Sequence, residues 1–148
     1  MKGLIQRVSH ANVRVDGEIV GAISKGVLLL LGVEKSDSQQ SADKLLHKVL
    51  NYRIFPDEEG RMNLSLLDTN GGLLVVSQFT LVADTRKGLR PGFSKGATPE
   101  HGEQLYRYFA AQAKNQLSQV ATGRFGANMQ ITLENDGPVT FMLESPAE

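Results

Sequence analysis

The 148-residue chain contains no cysteine and no tryptophan, and its sixteen basic and sixteen acidic residues cancel. Without cysteine it forms neither disulfides nor thiolate zinc sites, which agrees with a reducing compartment. No apolar run approaches the ~18 residues that span a bilayer, and the N-terminus lacks the apolar stretch of a secretion signal. We therefore expect a soluble, cytoplasmic protein with no membrane partner. The zero net charge gives no overall sign of nucleic-acid binding.

Conventional catalytic groups are also scarce. The three histidines are His10 in a predicted turn, His47 on the polar side of a predicted helix, and His101 near the start of another. We interpret each as a surface residue, although folding could still bring one near Ser77 or Thr80. No histidine or glutamate spacing is typical of a metal site, and no glycine loop matches a nucleotide-binding fingerprint. The sequence predicts neither a metal nor a cofactor.

Strands outnumber helices in the pattern of apolar residues. The predicted strands are Met1–Val8, Ala11–Val20 turning back at Asp16-Gly17, Gly26–Val33, a short one at Ile54-Phe55, and Leu73–Val82. Two helices are predicted, one with a capping box at Ser36 and Gln39 and one capped by Thr98 with Pro99 following. Without regular strand-helix alternation, we predict one α+β domain over residues 1–148. It is mostly β, with antiparallel sheets forming a barrel-like core that carries two helices.

Two strings are unusual for ordinary strands. The segment Asn128–Leu143 places Gly137-Pro138 between two stretches of alternating apolar residues. Asp136-Gly137 alone is a hairpin signal, but the following proline removes a backbone donor and restricts the residue before it. We predict a C-terminal hairpin with special backbone geometry. The second string, SQFTL at Ser77–Leu81, puts polar residues where a buried strand would carry valine or isoleucine.

A short basic segment follows the SQFTL string. From Asp84 to Lys95 the chain reads DTRKGLRPGFSK, and its glycines and proline predict a loop. Two interpretations of Arg86, Lys87 and Arg90 remain open. They are cations of a solvated loop, as in most short charge runs, or they contact phosphates beside a site at SQFTL.

The strings SQFTL and NDGPVT resemble those of the D-aminoacyl-tRNA deacylases. The likeness extends, in the family's order, over most of the chain: LIQRVSHANVRVDG, LLLGVEK, YRIFPDEEGRMN, RPGFSKGA and TGRFGANMQ. It implies hydrolysis of the ester between a D-amino acid and tRNA, and also of mischarged glycyl-tRNA. It further implies a homodimer whose active site lies at the subunit interface, acting on the 3′ end of aminoacyl-tRNA. DNA is not an expected partner.

The resemblance also implies roles for individual residues. Ser77, Gln78, Phe79 and Thr80 match the string that forms the acyl-binding and oxyanion wall. A cis Gly137-Pro138 step, completed by Val139 and Thr140, matches a gate inserted into the partner subunit's site, where it rejects L-substrates by clash. The remaining matches are Phe125 and Met129, implied to hold the terminal adenosine, and Arg7, implied to brace the Gly-Pro loop. Base rates alone favour a trans bond and ordinary packing at these positions.

The residues themselves leave the chemistry open. Ser77 and Thr80 are candidate nucleophiles, but a hydroxyl needs a neighbouring base, and none is obvious. Their hydroxyls could instead satisfy the local backbone. Backbone amides at the strand end could also stabilise an oxyanion. The implied mechanism is attack by water assisted by the 2′-hydroxyl of the tRNA. The alternatives are a non-catalytic RNA-binding module, in which Phe125 stacks a base, and a small-ligand-binding dimer.

Overall fold

A computed structural model describes residues 1–146 of the chain. Six strands form one sheet, and two short strands form a separate hairpin. In chain order the elements are β1 (Lys2–Val15), β2 (Glu18–Ile23), β3 (Gly26–Gly32), α1 (Gln39–Asn51), β4 (Phe55–Pro56), β5 (Met62–Leu64), α2 (Leu66–Thr69), β6 (Gly72–Ser77), a 3₁₀ turn (Phe79–Val82), α3 (Pro99–Lys114), β7 (Val120–Thr122) and β8 (Gln130–Glu144).

The long strand β1 organises the sheet. Its first half pairs with β3 and its second half with β2, while β8 runs antiparallel along its other edge. The pairs β3–β6 and β6–β7 are parallel. The sheet curls until β2 approaches β7, so closely that a Cβ on Gly21 would lie 2.3 Å from the Thr122 carbonyl oxygen. This mostly β, barrel-shaped α+β fold confirms the predicted class, with a mixed sheet and a third, short helix.

Both faces of the central strands are buried. One face of β3 and β6 packs against α1 and α3, and the other forms a smaller cluster inside the curled sheet, which includes Leu28, Leu74 and Val76. A strand buried on both faces needs a continuous apolar run rather than alternation. That explains the composition of GVLLLLG in β3 and LLVV in β6.

The helices are positioned by apolar stripes that pack in the main core. The Thr98 hydroxyl caps α3 by accepting the His101 N–H at 3.2 Å, as predicted. The start of α1 was predicted wrongly, because Ser38 rather than Ser36 is its N-cap and bonds Ser41. The reason is a turn in which the Asp37 N–H bonds the Glu34 carbonyl, and this turn keeps Ser36 outside the helix. No helix in residues 1–146 is long and apolar enough to cross a membrane.

Three predicted strand limits are wrong. The two predicted N-terminal strands are one, because the sequence between them stays paired with β8, so exposed His10 lies in a strand rather than a turn. The strand carrying SQFTL ends at Ser77 and continues as the 3₁₀ turn. The C-terminal hairpin is a single strand, since Gln130 pairs with Arg14 and Glu144 with Lys2. Both of its halves bond the same neighbour, so the chain never reverses.

Candidate active site

The end of β6 presents unpaired backbone amides. The Gln78 N–H bonds the Leu31 carbonyl at 2.8 Å, and the first hydrogen bond of the 3₁₀ turn runs from the Leu81 N–H to the Gln78 carbonyl at 3.2 Å. The N–H groups of Phe79 and Thr80 precede that bond, and no acceptor among residues 1–146 takes them. Such open donors at the start of a turn are the groups that bind an oxyanion. The polar string therefore ends the strand and frees these amides.

The two hydroxyls of the string have different surroundings. Thr80 Oγ1 accepts a hydrogen bond from the Gln78 side-chain amide, so this pair is satisfied locally. The half-buried Ser77 hydroxyl has no hydrogen-bond partner in the described part of the chain. A base within reach is what would make either hydroxyl a nucleophile. Neither hydroxyl is hydrogen-bonded to an Asp, Glu or His within residues 1–146.

A cleft of about 510 Å³ opens beside this turn. Its walls are mostly apolar, and its lining contains no Asp, Glu, His, Lys or Arg. The lining residues are Leu31, Val33, Val76, Ser77, Gln78, Phe79, Ala97, Thr98, Pro99, Gly102, Tyr106, Phe125, Gly126, Ala127, Met129 and Ile131. Five predicted site residues therefore meet at one cleft: Ser77, Gln78, Phe79, Phe125 and Met129. A more open depression of about 650 Å³ lies along Asp57–Leu64 and contains none of them.

Tyr106 joins the two walls of the cleft. Its hydroxyl donates to the Val75 carbonyl at 3.0 Å and lies 3.4 Å from the Gly123 carbonyl, while its ring contacts that of Phe125 at 5.7 Å. Burial raises the pKa of the Tyr106 hydroxyl, which is therefore held as a donor. Tyr106 was not among the predicted site residues. A tyrosine at an apolar helix position was the available signal, since a buried hydroxyl needs a partner.

The Gly137-Pro138 segment is a bulge in β8. One residue, Arg7, separates Gln6 from Val8 on β1, whereas four residues separate their β8 partners Thr140 and Asn135. The Gly137-Pro138 peptide bond is cis, as predicted, and Gly137 has a φ of +148°. A Cβ at Gly137 would lie 2.6 Å from Val139 Cγ2, so this position requires glycine.

Two polar side chains fix the bulge. The Asn135 side chain accepts the Val139 N–H at 2.7 Å and donates to Thr140 Oγ1 at 2.8 Å. Arg7 donates to the Asp136 carbonyl at 2.9 Å and to the Ile54 carbonyl at 2.7 Å. The bulge therefore does not depend on its cis bond alone for its shape. Asn135 was not among the predicted site residues, although asparagine in a turn-forming segment commonly bonds nearby backbone through its side chain.

A model of the D-Tyr-tRNA(Tyr) deacylase family matches residues 4–144. The chain belongs to this family. A protein of Stutzerimonas stutzeri (strain A1501) named D-aminoacyl-tRNA deacylase is 68% identical over 98% of this chain and 100% of its own length. One of Pseudoalteromonas translucida (strain TAC 125) with the same name is 62% identical over 97% of this chain and 99% of its own.

Solved structures resemble this member of the deacylase family along nearly its whole length. A structure described as a c-Myc DNA unwinding element binding protein is 40% identical, with a TM-score of 0.95, and the match covers 99% of this chain and 100% of that one. A structure described as a probable eukaryotic D-amino acid tRNA deacylase is 20% identical, with a TM-score of 0.78, and the match covers 97% of this chain and 98% of that one. The second likeness concerns the fold alone.

Within one chain of this deacylase-family protein, the Gly-Pro bulge and the cleft are apart. The bulge lies opposite Arg7, which is level with Val27 on β3 and Leu73 on β6. The bulge is therefore three strand-to-strand steps of about 4.8 Å from β6, and it is four residues from Ser77 along that strand. Neither Gly137 nor Pro138 lines the cleft, and Val139 is buried in the main core. Thr140 is exposed, and its hydroxyl accepts a hydrogen bond from Asn135 within the bulge.

The basic loop of this family member is internally paired. Arg86 forms a bidentate ion pair with Asp84, at 2.9 and 2.8 Å, and its guanidinium holds the pKa of the Asp84 carboxyl well below its usual range. Lys87 and Arg90 have no ion-pair partner within residues 1–146. Of the three predicted phosphate contacts, these two present uncompensated charge.

The histidines stay away from the cleft. His47 is exposed on α1, while His101 is partly buried and lies 2.8 Å from the Asp37 carbonyl through Nε2. None of the three histidines is among the cleft-lining residues. The described residues contain no group of three or more His, Asp or Glu placed to hold a metal ion.

Proposed function

We propose that this protein hydrolyses the ester bond of D-aminoacyl-tRNA, releasing the free amino acid and tRNA. The observation that carries the proposal is the apolar cleft that brings Phe79, at the start of the turn with the open amides, together with Phe125 and Met129. Membership of the deacylase family, together with relatives of that name over the full chain, supports the same reaction. We further propose that the whole chain is one deacylase domain acting in the cytoplasm without a cofactor.

The reaction relies on the backbone and on the substrate. Water attacks the ester carbonyl, and the Phe79 and Thr80 amides donate to the oxyanion that forms. The 2′-hydroxyl of the terminal ribose positions this water and relays a proton from the water to the 3′ oxygen. That oxygen then leaves as its bond to the carbonyl carbon breaks. The absence of Asp, Glu, His, Lys and Arg from the cleft lining supports substrate-assisted chemistry over a side-chain nucleophile. Ser77 and Gln78 complete the wall of the acyl pocket.

Recognition of the substrate is divided between two parts. The ring of Phe125 and the thioether of Met129 hold the terminal adenosine, which suits the apolar walls of the cleft. Gly137 and Pro138 of a second copy, supported by Val139, Thr140 and Arg7, present carbonyls near the α-carbon and exclude L-side chains. Glycine has no side chain to exclude, so glycyl-tRNA is a second substrate. The separation of the bulge from the cleft in one chain supports the homodimer that this arrangement needs.

A deacylation assay tests the proposal directly. Purified protein is incubated with D-tyrosyl-, L-tyrosyl- and glycyl-tRNA, and the remaining ester is measured over time. We expect rapid loss of the D-tyrosyl and glycyl esters, with the L-tyrosyl ester decaying at its spontaneous rate. Equal rates for both enantiomers would contradict the gate, and no hydrolysis of any ester would contradict the function.

A non-catalytic RNA-binding module is the alternative from another class. It would bind tRNA through Phe125 and the basic loop but leave every ester intact. The 40% identical structure described as a DNA unwinding element binding protein also makes DNA a useful competitor. We expect no DNA partner for this chain, so duplex DNA should not displace tRNA from it. Displacement at equal concentration would favour the binding-module alternative.

A further inference from the structure

Two aromatic rings are exposed together at the rim of the cleft. Phe79 is 69% exposed and Phe93 is 45% exposed, yet their ring centroids lie 5.4 Å apart at an angle of 48°. Phe79 also lines the cleft, so the ring pair continues the cleft surface outward. Apolar rings grouped in water at the edge of a site are a sign of an interaction surface.

The loop that carries Phe93 is fixed in place. Asp84 and Gly92 exchange two backbone hydrogen bonds, at 2.7 and 2.9 Å, and so close the basic loop at its base. The bidentate pair between Arg86 and Asp84 stiffens the same end. Phe93 follows Gly92 directly, so its position beside Phe79 is set before any ligand arrives. A surface ordered in advance loses less entropy on binding.

The charges around the ring pair define the partner. Lys87 and Arg90, in the loop that Phe93 ends, have no ion-pair partner among the described residues, while the chain as a whole is neutral. Exposed rings beside uncompensated cations are the usual composition of a single-stranded nucleic-acid site, where bases stack on the rings and phosphates meet the cations.

We propose that the Phe79–Phe93 pair stacks the nucleobase next to the terminal adenosine of tRNA, with the adjoining phosphates at Lys87 and Arg90. The inference rests on the proposed function, since the terminal adenosine bound in the cleft determines where the preceding nucleotide lies. It assigns an additional nucleotide to the site and makes Phe93 a binding residue. Phe79 then has two roles, with its amide at the oxyanion and its ring under the penultimate base.

Unacylated ligands test the ring pair without catalysis. Adenosine and the trinucleotide cytidylyl-cytidylyl-adenosine, the 3′ end of tRNA, are titrated calorimetrically into wild type, Phe93→Leu and Phe93→Trp. Phe93→Leu keeps an apolar side chain but no stacking surface, so the trinucleotide's advantage over adenosine should shrink by about 5- to 150-fold. Phe93→Trp should retain the advantage. Ile19→Ala, which alters an exposed side chain on β2, is the control and should change neither affinity.

Three results would overturn the proposal. These are a wild-type protein that binds the trinucleotide no better than adenosine, a Phe93→Leu variant that keeps the full advantage, and equal losses for both ligands. A change in molecular mass by light scattering in Phe93→Leu, with trinucleotide binding intact, would instead assign the rings to contact with a second copy. Failure of the proposed function has a separate signature. In that case D-tyrosyl-tRNA stays intact while ring-dependent trinucleotide binding remains.

Discussion

At the scale of single residues, the hydroxyls of the polar string are predicted to be dispensable. Ser77→Ala and Thr80→Ala remove hydroxyls but keep both backbone amides, which the proposed mechanism requires. Each should lose far less than the ~10⁴-fold expected when an essential nucleophile is removed. Thr80→Ala should lose more than Ser77→Ala, because it also releases the Gln78 side chain. Single-turnover deacylation of D-tyrosyl-tRNA measures both.

The substrate's own hydroxyl provides the opposing test. Transfer RNA ending in 2′-deoxyadenosine should be cleaved much more slowly by wild type and by both variants, because the proton relay is missing. An inactive Thr80→Ala that accompanies normal cleavage of the deoxy substrate would make Thr80 the nucleophile.

Tyr106 is predicted to stabilise the protein through one hydroxyl. Tyr106→Phe keeps the buried ring but removes the bond to Val75 at 3.0 Å, which should cost about 0.5–1.5 kcal/mol in the free energy of unfolding. Tyr108→Phe is the matched control, since its hydroxyl bonds Asp43 at an exposed site and should matter less. Urea denaturation measures both. Equal losses would show that the buried bond is no stronger than the exposed one.

The same hydroxyl predicts a dependence on alkaline pH. Burial raises the pKa of Tyr106 in the folded state above the 10.0 of an unperturbed tyrosine. The folded protein therefore keeps a proton that the unfolded chain loses, and this stabilisation is complete below that pH and falls as the pH rises above it. Denaturation between neutral pH and pH ~11 should show a steeper alkaline loss for wild type than for Tyr106→Phe. Parallel curves would contradict the assignment.

At the scale of elements, the bulge in β8 is predicted to depend on Asn135. Asn135→Ala removes the bonds to Val139 and Thr140, so the Gly-Pro segment should lose its fixed position. We expect a lower ratio of D- to L-tyrosyl-tRNA cleavage, with a stability loss of about 1–2 kcal/mol. Gln130→Ala, at an exposed position of the same strand, is the control. A normal ratio with a large stability loss would make Asn135 a purely structural residue.

Local sequence patterns predicted those elements whose signals are local. The cap and apolar stripe of α3 follow from residues within one helix, as does the buried strand β3 from its unbroken apolar run. The bulge was predicted as a hairpin because the sequence Asp136-Gly137 is compatible with either a hairpin turn or a bulge. Only the pairing of both halves of β8 with β1 distinguishes them, and pairing is non-local.

The site divides in the same way. Family likeness identified the residues of the cleft, and the structure brings Ser77, Phe79, Phe125 and Met129 together. The bonds of Tyr106 and the contact of Phe93 with Phe79 were not predictable, since each joins segments distant in sequence. The pairing of Arg86 with Asp84 has a local signal, because they are only two positions apart in the sequence. The prediction missed this pairing because it treated Arg86, Lys87 and Arg90 as equivalent cations.

At the scale of the whole molecule, the net charge is zero but the charges are unevenly distributed over the surface. Lys87→Ala and Arg90→Ala should each weaken tRNA binding for every amino acid and reduce the log-log salt slope by about 0.7–0.9. Arg86→Ala should have a smaller effect, because Asp84 already neutralises that cation. Lys25→Ala is the control, since Lys25 lies at the opposite end of the sheet, where β3 begins opposite Gly72. Equal log-log salt slopes for all four variants would show that the basic loop is a solvated surface without phosphate contacts.

The separation of the bulge from the cleft makes a complementation experiment decisive for the dimer. Gly137→Ala disrupts the bulge by its clash with Val139, and Gly102→Leu fills the cleft beside Phe125, which lies 3.5 Å from a Cβ at that position. Each variant alone should be inactive on D-tyrosyl-tRNA. Mixed subunits should regain about a quarter of wild-type activity, because half of the dimers are mixed and each has one intact site. A control chain that carries both substitutions should restore no activity when it is mixed with either single variant. Without recovery in the mixture, after mass measurement has shown subunit exchange, the gate would act within its own chain.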